Sequence, residues 1–239
     1  MPCQTTLDWA RFGAVLFDLD GVITPTAEIH QRAWAALFAP FDYSPSDYLT
    51  FIDGKSRYEG VQSFLESRHV HLPWGDADDK SGDGSICALG NRKNDMFNGI
   101  VAEEPIVAYP GTVALIDLLD ELGTPQAVVS SSRNARAVLR AAGMADRFAV
   151  VIDGETAVAE QLASKPAPDG FLRAAELLGV DRSVTAVIED AVAGVAAGKA
   201  GCFGFVLGVD RGGNAEALRA AGASAVVGDL AETLKAVQA

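Results

Sequence analysis

The decapeptide FDLDGVITPT, residues 17–26, decides the fold of this chain. It continues the apolar run of residues 14–17 and carries two carboxylates, Asp18 and Asp20, followed by Gly21. A short apolar strand that ends in acidic residues and a glycine is typical of the carboxyl edge of an open α/β sheet, where ligands bind. A strand followed by a solvated turn has the same composition, because Asp and Gly are common turn residues. The decapeptide alone leaves both interpretations open.

The second half of the chain alternates short apolar runs with helical patterns. The apolar runs lie at residues 127–129, 149–152, 184–188, 203–207 and 225–227. The helical patterns lie near residues 134–142, 168–178, 191–200, 215–221 and 231–237. Strands that alternate with helices are typical of βα units and a parallel sheet. We therefore predict an α/β fold with a Rossmann-like parallel sheet between two layers of helices.

The segment between the first strand and the second has a different character. Helices are predicted at residues 27–39, 58–68 and 86–101, and the polar stretch 69–85 is predicted to be a surface loop. Because this segment contains no strand pattern, we predict an inserted all-helical cap domain at residues 27–107. The α/β core then comprises residues 1–26 and 108–239. The two connections are expected near residues 24–26 and 106–110.

Composition excludes several classes of protein. The 239 residues are 49% apolar and 21% charged, which is typical of a globular chain that buries a large core. A formal net charge of −13 argues against a nucleic-acid or anionic membrane partner. No run reaches the ~18 apolar residues that a membrane span needs. Since the N-terminus has no secretion-signal pattern and the three cysteines are widely spaced, we expect a cytoplasmic protein with reduced thiols.

Polar residues follow several of the predicted strands. Ser130 comes after the run 127–129, Glu189 and Asp190 follow the run 184–188, and Lys165 lies in the connection between these strands. The carboxyl ends of parallel strands lie along one edge, so we expect these side chains to meet the two aspartates of the decapeptide there. Carboxylates in this number repel one another unless a hard divalent cation, Mg²⁺, lies among them.

Each of these residues also has a simpler interpretation. Ser130 could cap the helix that follows it. Lys165 could be an exposed loop cation, and Glu189 with Asp190 could favour a helix N-terminus. For any one of these residues taken alone, the simpler interpretation is preferable. For the ordered combination of all of them, a convergent site is the better interpretation.

Four segments in order, FDLDGV, SSSRN, SKPAPD and VIEDAVAG, resemble the motifs of the haloacid dehalogenase superfamily of phosphotransferases. The resemblance covers about residues 14–207. It implies that Asp18 is the nucleophile that becomes an aspartyl phosphate, and that Asp20 is the general acid and base. It also implies that Ser130 and Lys165 hold the oxygens of the transferring phosphoryl group.

The same resemblance implies a metal site. Mg²⁺ would be held by Asp18, by the backbone carbonyl of Asp20 and by Asp190, with Glu189 nearby. The cation and Lys165 would screen the repulsion between an anionic nucleophile and an anionic phosphate.

A narrower resemblance concerns the cap. The segments TAEIHQRAW, GKSR and RKND, together with SSSRN, are similar to the beta-phosphoglucomutase subfamily. This similarity implies that a second, non-reacting phosphate of the substrate is bound by Arg57, Ser131, Ser132 and Asn134. It further implies a hydrogen-bonded set that engages Asp20 and consists of Thr26, His30 and Lys93. Taken alone, His30 would be interpreted as a helix-surface residue and Lys93 as part of a solvated face.

The subfamily implies an enzyme, a Mg²⁺-dependent mutase that converts β-glucose 1-phosphate to glucose 6-phosphate through the 1,6-bisphosphate. Its partner would be a small phosphorylated sugar, and we expect a monomer. The alternative is a phosphohydrolase of a small sugar phosphate that uses the same core and excludes water less completely. The chain departs from the subfamily at Pro25, where Asp is usual, and at Lys55, where an apolar residue is usual. Because Pro25 lies in the presumed hinge, we expect the cap to move differently.

Overall fold

A six-stranded parallel sheet forms the centre of the computed structural model, which describes residues 6–234. The strand order is β3-β2-β1-β4-β5-β6. The strands are β1 (Ala14–Phe17), β2 (Gln126–Val129), β3 (Val150–Ile152), β4 (Thr185–Glu189), β5 (Phe205–Val209) and β6 (Ala225–Val227). Leu16 of β1 pairs with Ala127 on one side and Val187 on the other. The predicted α/β fold is confirmed, and β1, which leads into the decapeptide, lies at the centre of the sheet.

Helices connect the strands and cover both faces of the sheet. The α-helices are α1 (Thr26–Phe38), α2 (Pro45–Asp47), α3 (Arg57–Ser67), α4 (Ile86–Glu103), α5 (Pro110–Leu122), α6 (Ala135–Ala141), α7 (Gly154–Ala159), α8 (Asp169–Leu178), α9 (Val192–Ala200) and α10 (Ala215–Ala221). Short 3₁₀ turns add Trp9–Arg11, Ala39–Phe41, Ala145–Arg147, Arg182–Val184 and Leu230–Thr233, and a π-helical turn covers Tyr48–Ile52. Within residues 6–234, no helix combines the length and the apolar composition that a membrane span requires.

The side chains of β1 alternate between two apolar clusters. Val15 and Phe17 point to a cluster that includes residues of α5 and α6, whereas Leu16 points to a cluster that includes residues of α8, α9 and α10. All three side chains are completely buried. A strand that is buried on both faces is continuously apolar, which explains why the sequence of β1 shows no polar alternation.

Helices α1 to α4 form the cap between β1 and α5. They enclose a separate apolar cluster, in which the rings of Phe38 and Phe64 stack with centroids 4.0 Å apart. At the base of the cap, Ile29 and Phe97 join the cluster that contains Phe17 of the core. The cap therefore has its own interior and also rests on the sheet domain. The domain limits at residues 27 and 107 remain a prediction.

The two connections between cap and core lie side by side. The backbone N–H of Tyr109 donates to the carbonyl oxygen of Ile23 at 2.9 Å, and the hydroxyl of Thr112 donates to Val22 at 2.6 Å. Pro25 directly precedes α1 with φ −75° and ψ 21°, while Thr24 forms an isolated parallel bridge with Asp20. The loop that follows β1 and the second connection are thus hydrogen-bonded to each other. The effect of Pro25 on cap motion remains a prediction.

Several element limits differ from those predicted. The run 203–207 was predicted as a strand, but β5 begins at Phe205, because Phe203 is buried against Phe171 in the preceding turn. An apolar run therefore indicates buried residues, but it does not locate the first residue of a strand. Helix α7 was not predicted, since its six residues are too few for a clear helical period. Of the predicted helix 231–237, the structure shows a 3₁₀ turn at Leu230–Thr233, and residues 235–237 lie outside the described part of the chain.

Candidate active site

Asp18 and Lys165 form the centre of the candidate site. Asp18 directly follows β1, and the Nζ atom of Lys165 lies 2.5 Å from its Oδ1 atom. The same Nζ donates to Oε1 of Glu189 at 2.6 Å and to the carbonyl oxygen of Val129 at 3.1 Å. All three of these ionisable side chains are buried. The interpretation of Lys165 as an exposed loop cation is therefore wrong.

Three carboxylates converge beside this lysine. Asp18, Glu189 and Asp190 each place a carboxylate oxygen within 4.8 Å of the others. The backbone of Gly21 makes this approach possible, since it has φ 86° and a Cβ atom added there would lie 1.7 Å from Oδ2 of Asp190. Gly194 does the same for Glu189, because an added Cβ would lie 1.8 Å from its Oε1 atom. Both glycines are required by close approach of a carboxylate.

The three carboxylates fit a hard divalent cation. Burial raises the pKa of both Asp18 and Asp190 well above the usual range, and neighbouring carboxylates raise it further. Oxygen ligands in this number suit Mg²⁺, whose positive charge would lower both pKa values and keep the groups ionised. The side chain of Asp20 lies outside the group of three, and its predicted role as a ligand through the backbone carbonyl remains a prediction.

One contact of Glu189 agrees with its simpler interpretation as a residue that favours a helix N-terminus. Its Oε2 atom accepts the backbone N–H of Ala191 at 3.0 Å, just ahead of α9. The carboxylate thus supports the local turn through one oxygen and contacts Lys165 through the other.

Asp20 is held by two residues of α1 and by the residue that follows β2. The hydroxyl of Thr26 donates to its Oδ1 atom, Nε2 of His30 lies 3.4 Å from the same oxygen, and the hydroxyl of Ser130 lies 3.4 Å from Oδ2. Burial by itself would raise the pKa of Asp20, but His30 and the hydrogen bond from Thr26 outweigh it and lower the pKa to about 2. Asp20 is therefore ionised at neutral pH and ready to accept a proton.

His30 and Lys93 extend this hydrogen-bonded chain into the cap. Nζ of Lys93 contacts Nδ1 of His30, and the imidazole stacks on Phe97 with centroids 4.1 Å apart. Burial and the nearby Lys93 lower the pKa of His30, so its ring is neutral at pH 7. A neutral ring that accepts from Lys93 at Nδ1 carries its proton on Nε2, which faces Asp20. The interpretations of His30 as a surface residue and of Lys93 as a solvated one are wrong.

A second polar cluster lies on the SSSRN segment and the cap. The amide oxygen of Asn94 accepts from Arg57 and from the side chain of Asn134, both at 2.7 Å. The hydroxyl of Ser132 accepts the backbone N–H of Asn134 at 3.2 Å, and the hydroxyl of Ser131 donates to the carbonyl oxygen of Gly54 at 2.8 Å. Ser130 accepts the backbone N–H of Ser132 at 3.1 Å, but it does not cap the following helix, because α6 begins at Ala135 after Asn134.

One cavity between cap and core brings most of the predicted residues together. Its walls include the following predicted residues: Asp18, Asp20, His30, Arg57, Lys93, Ser131, Ser132, Asn134, Glu189 and Asp190. Lys165 and Ser130 line a second cavity, which shares Arg57 and Ser131 with the first. Thr26 is buried behind Asp20. The assignment of these residues to one site, and the role of each, remain predictions.

Two residues of this cleft were missed in the sequence. Asn94 stands directly after Lys93 in the quoted RKND segment, and that adjacency was the available signal. Asp53 lines the cavity just ahead of Gly54, in the segment between the predicted helices 27–39 and 58–68. Burial and the nearby Glu189 raise the pKa of Asp53 to about 7. No motif contains Asp53, so its place in the site depends on how the cap folds over the core.

Comparison with known proteins agrees with this geometry. A family model described as haloacid dehalogenase-like hydrolase matches residues 12–201. The chain is 46% identical to a beta-phosphoglucomutase of Mycobacterium bovis, over 92% of this chain and 91% of that protein. It is 33% identical to hexitol phosphatase A of Escherichia coli, over 80% of this chain and 81% of that protein.

Solved structures show the same fold. The crystal structure of a beta-phosphoglucomutase from Clostridium difficile superposes with a TM-score of 0.76 at 28% identity, and the alignment covers 92% of each chain.

Proposed function

This chain belongs to the haloacid dehalogenase-like hydrolase family, and we propose that it is a mutase that converts β-glucose 1-phosphate to glucose 6-phosphate through an aspartyl phosphate on Asp18. As an enzyme of the sugar-phosphate phosphotransferase or phosphatase type, it uses a core that its relatives share. Beyond this enzyme type, we propose Asp18 as the nucleophile, Mg²⁺ as the cofactor and β-glucose 1-phosphate as the substrate.

One observation carries the proposal. The carboxylate site around Asp18 and the separate donor cluster of Arg57 and Asn134 line the same cavity, one from the core and the other from both cap and core. A bisphosphate needs two anion sites that face each other across a sugar, and Arg57 supplies a permanently charged donor for the phosphate that does not react. The 46% sequence identity to the mycobacterial beta-phosphoglucomutase also supports the proposed substrate.

The chemistry follows from the residues at the strand ends. In the first half, an oxygen of Asp18 forms a bond to phosphorus while the bond from phosphorus to the donor oxygen breaks. Asp20 gives the departing oxygen the proton that it took from a sugar hydroxyl in the other half of the cycle, since Asp20 is ionised in the resting protein. In the second half, a sugar hydroxyl attacks phosphorus, Asp20 takes the hydroxyl proton, and the bond from phosphorus to Asp18 breaks. With its pKa near 2, Asp20 is ready for this second half before any substrate binds.

Lys165 and the carboxylates prepare Asp18 for attack. The ammonium group at 2.5 Å neutralises the nucleophile and can contact an oxygen of the incoming phosphoryl group. Mg²⁺ bound by Asp18, Asp190 and Glu189 would supply positive charge to the transferring group. Lys165, which contacts Asp18, and Ser130, which lies 3.4 Å from Asp20, would then fix the orientation of that group.

A phosphohydrolase is the second candidate function. Its support is the 33% identity to hexitol phosphatase A, which covers 80% of this chain. Both functions share the first half-reaction and differ only in whether a sugar hydroxyl or water accepts the phosphoryl group.

One assay separates the two candidates. The protein is incubated with Mg²⁺, β-glucose 1-phosphate and a trace of the 1,6-bisphosphate, and glucose 6-phosphate and free phosphate are measured together. The mutase produces glucose 6-phosphate with little free phosphate. Free phosphate that forms faster than glucose 6-phosphate would show that the protein is a phosphohydrolase.

A further inference from the structure

A hydrogen bond between cap and core lies directly beside Lys165. Ser164, the residue before the lysine, donates its hydroxyl proton to Oε2 of Glu59, which lies in the first turn of α3. The hydroxyl of Ser56 donates to the same oxygen at 2.5 Å. The carboxylate is thus held by one hydroxyl from its own helix and by one from the core.

The pair of Glu59 and Ser164 separates two surface cavities. A cavity of about 370 Å³ lies on one side and reaches Ser130 and Lys165, while a cavity of about 350 Å³ lies on the other and reaches Lys55 and Lys165. Glu59, Ser164 and Lys165 line both of them. If the hydrogen bond were broken, the two cavities would join into one opening beside the ammonium group that contacts Asp18.

Helix α3 connects this contact to the donor cluster of the cleft. Arg57 lies two residues before Glu59 on the same helical turn and donates to Asn94 inside the cavity. The helix therefore carries both the proposed donor for the non-reacting phosphate and the contact to the loop of Lys165. Closure of the cap on a substrate with two phosphates brings both groups into place together.

We propose that Glu59 is a specificity-determining residue, which through its bond to Ser164 excludes water from the phosphorylated Asp18 when the cap is closed. This inference rests on the proposed mutase function. In either outcome a bond from phosphorus to oxygen forms, the bond from phosphorus to Asp18 breaks, and Asp20 takes a proton. A sugar hydroxyl as the attacking group gives the hexose phosphate, whereas water gives inorganic phosphate and returns the free enzyme. The bond between Glu59 and Ser164 favours the first outcome.

The test compares the two products for a set of variants. Glu59→Ala and Ser164→Ala each remove one partner, while Glu59→Gln keeps an oxygen that can accept from Ser164. The matched control is Glu66→Ala, which removes an exposed glutamate of the same helix that bonds only to Gln62. Each protein is assayed with Mg²⁺, β-glucose 1-phosphate and 1,6-bisphosphate, and the rate of free phosphate release is divided by the rate of glucose 6-phosphate formation.

We expect this ratio to rise roughly tenfold in Glu59→Ala and in Ser164→Ala, the size expected for one lost hydrogen bond to a charged group. The double variant should show no further rise, because both single changes break the same contact. Glu59→Gln should restore most of the wild-type ratio, and Glu66→Ala should match wild type.

Two failures are distinguishable. If wild type itself releases free phosphate faster than glucose 6-phosphate, the proposed mutase function is wrong. If the ratio of free phosphate release to glucose 6-phosphate formation is no higher in Glu59→Ala and Ser164→Ala than in wild type, the role of Glu59 is wrong, whichever function wild type has. A fall in both rates with an unchanged ratio would also overturn it, since that result indicates a contact that only supports the fold.

Discussion

Nζ of Lys165 lies 2.5 Å from Oδ1 of Asp18, although 147 positions of sequence separate the two residues. The same ammonium group contacts Glu189, and all three side chains are buried. Burial would lower the pKa of Lys165, but the two carboxylates outweigh it and raise the pKa above its ordinary value. The lysine is therefore a permanent cation that neutralises part of a buried acidic cluster.

Replacing Lys165 with methionine tests this relationship. The variant keeps a side chain of similar length but leaves Asp18 and Glu189 without their cation. We expect activity to fall by about 10³-fold or more, since charge stabilisation at the reacting group is lost. The free energy of unfolding should fall by about 3–5 kcal/mol, because one partner of a buried ionic cluster has been removed. Steady-state kinetics and urea denaturation measure the two effects.

Lys199→Met is the control for this change, because Lys199 is an exposed lysine of α9. We expect wild-type activity and stability in that variant. A Lys165→Met protein with more than a tenth of wild-type activity would mean that the lysine does not contact the transferring group.

Gly21 allows a second test that separates crowding from backbone strain. Gly21→Ala places a methyl group 1.7 Å from Oδ2 of Asp190 at φ 86°, so Asp190 must move away from Asp18. Gly123→Ala has a similar φ of 67°, but no neighbouring atom lies within 4 Å of the added methyl group. A positive φ alone costs about 1 kcal/mol for alanine. We expect this loss of stability in both variants and loss of activity only in Gly21→Ala.

Isothermal titration with Mg²⁺ adds a direct readout for the glycine variants. Gly123→Ala should bind the cation as wild type does, and Gly21→Ala should bind it at least roughly tenfold more weakly, because one carboxylate has been displaced. Equal Mg²⁺ affinity in the two variants would remove Asp190 from the metal site.

The sequence predicted the core of this site better than the cap. Asp18, Glu189 and Asp190 could be placed because they stand at the ends of the apolar runs 14–17 and 184–188, and parallel strands end at one edge. Asn94 could not be placed in this way. It is adjacent to Lys93 on α4, yet the two side chains contact different partners, since Lys93 meets His30 and Asn94 meets Arg57. Both reach the cleft only because α4 runs along it, and that position depends on the packing of the cap.

The contact between Glu59 and Ser164 was missed for the same reason. Ser164 begins the SKPAPD segment, in which only Lys165 was assigned a role, whereas Glu59 belongs to the predicted helix 58–68 and to no motif. A separation of 105 positions gave no signal that the two residues meet. Periodicity predicts which face of α3 is buried but not which loop of another domain that helix meets.

Arg57 provides a test of the second anion site. Arg57→Ala removes the charged donor to the non-reacting phosphate, so kcat/KM for β-glucose 1-phosphate should fall by roughly 10²-fold to 10³-fold. Phosphorylation of the enzyme by acetyl phosphate, which has no second phosphate, should keep its wild-type rate. Arg32→Ala is the matched control, because Arg32 pairs with Glu104 on the exposed surface of the cap. An equal loss with both phosphoryl donors would place Arg57 at the reacting group instead.

Lys93 allows a prediction about the pH dependence of stability. Burial and the nearby Arg57 lower the pKa of this lysine from 10.5 to about 7, while Asp20 opposes the shift. Between these two pH values the unfolded chain binds one more proton at this residue than the folded chain does. Stability from Lys93 therefore rises with pH from about 7 to about 10.5, and the penalty for the buried ammonium is complete below pH 7.

Lys93→Met removes this buried charge together with its contact to His30. We expect the variant to be more stable than wild type by a few kcal/mol at pH 6, and the difference to shrink steadily as pH rises toward 10. Activity should fall at every pH, because His30 loses the donor that fixes its tautomer and its orientation toward Asp20. Urea denaturation at pH 6, 7, 8 and 9 measures the difference. A stability difference that is constant across this range would show that Lys93 keeps an ordinary pKa, and a gain of stability with full activity would remove it from the site.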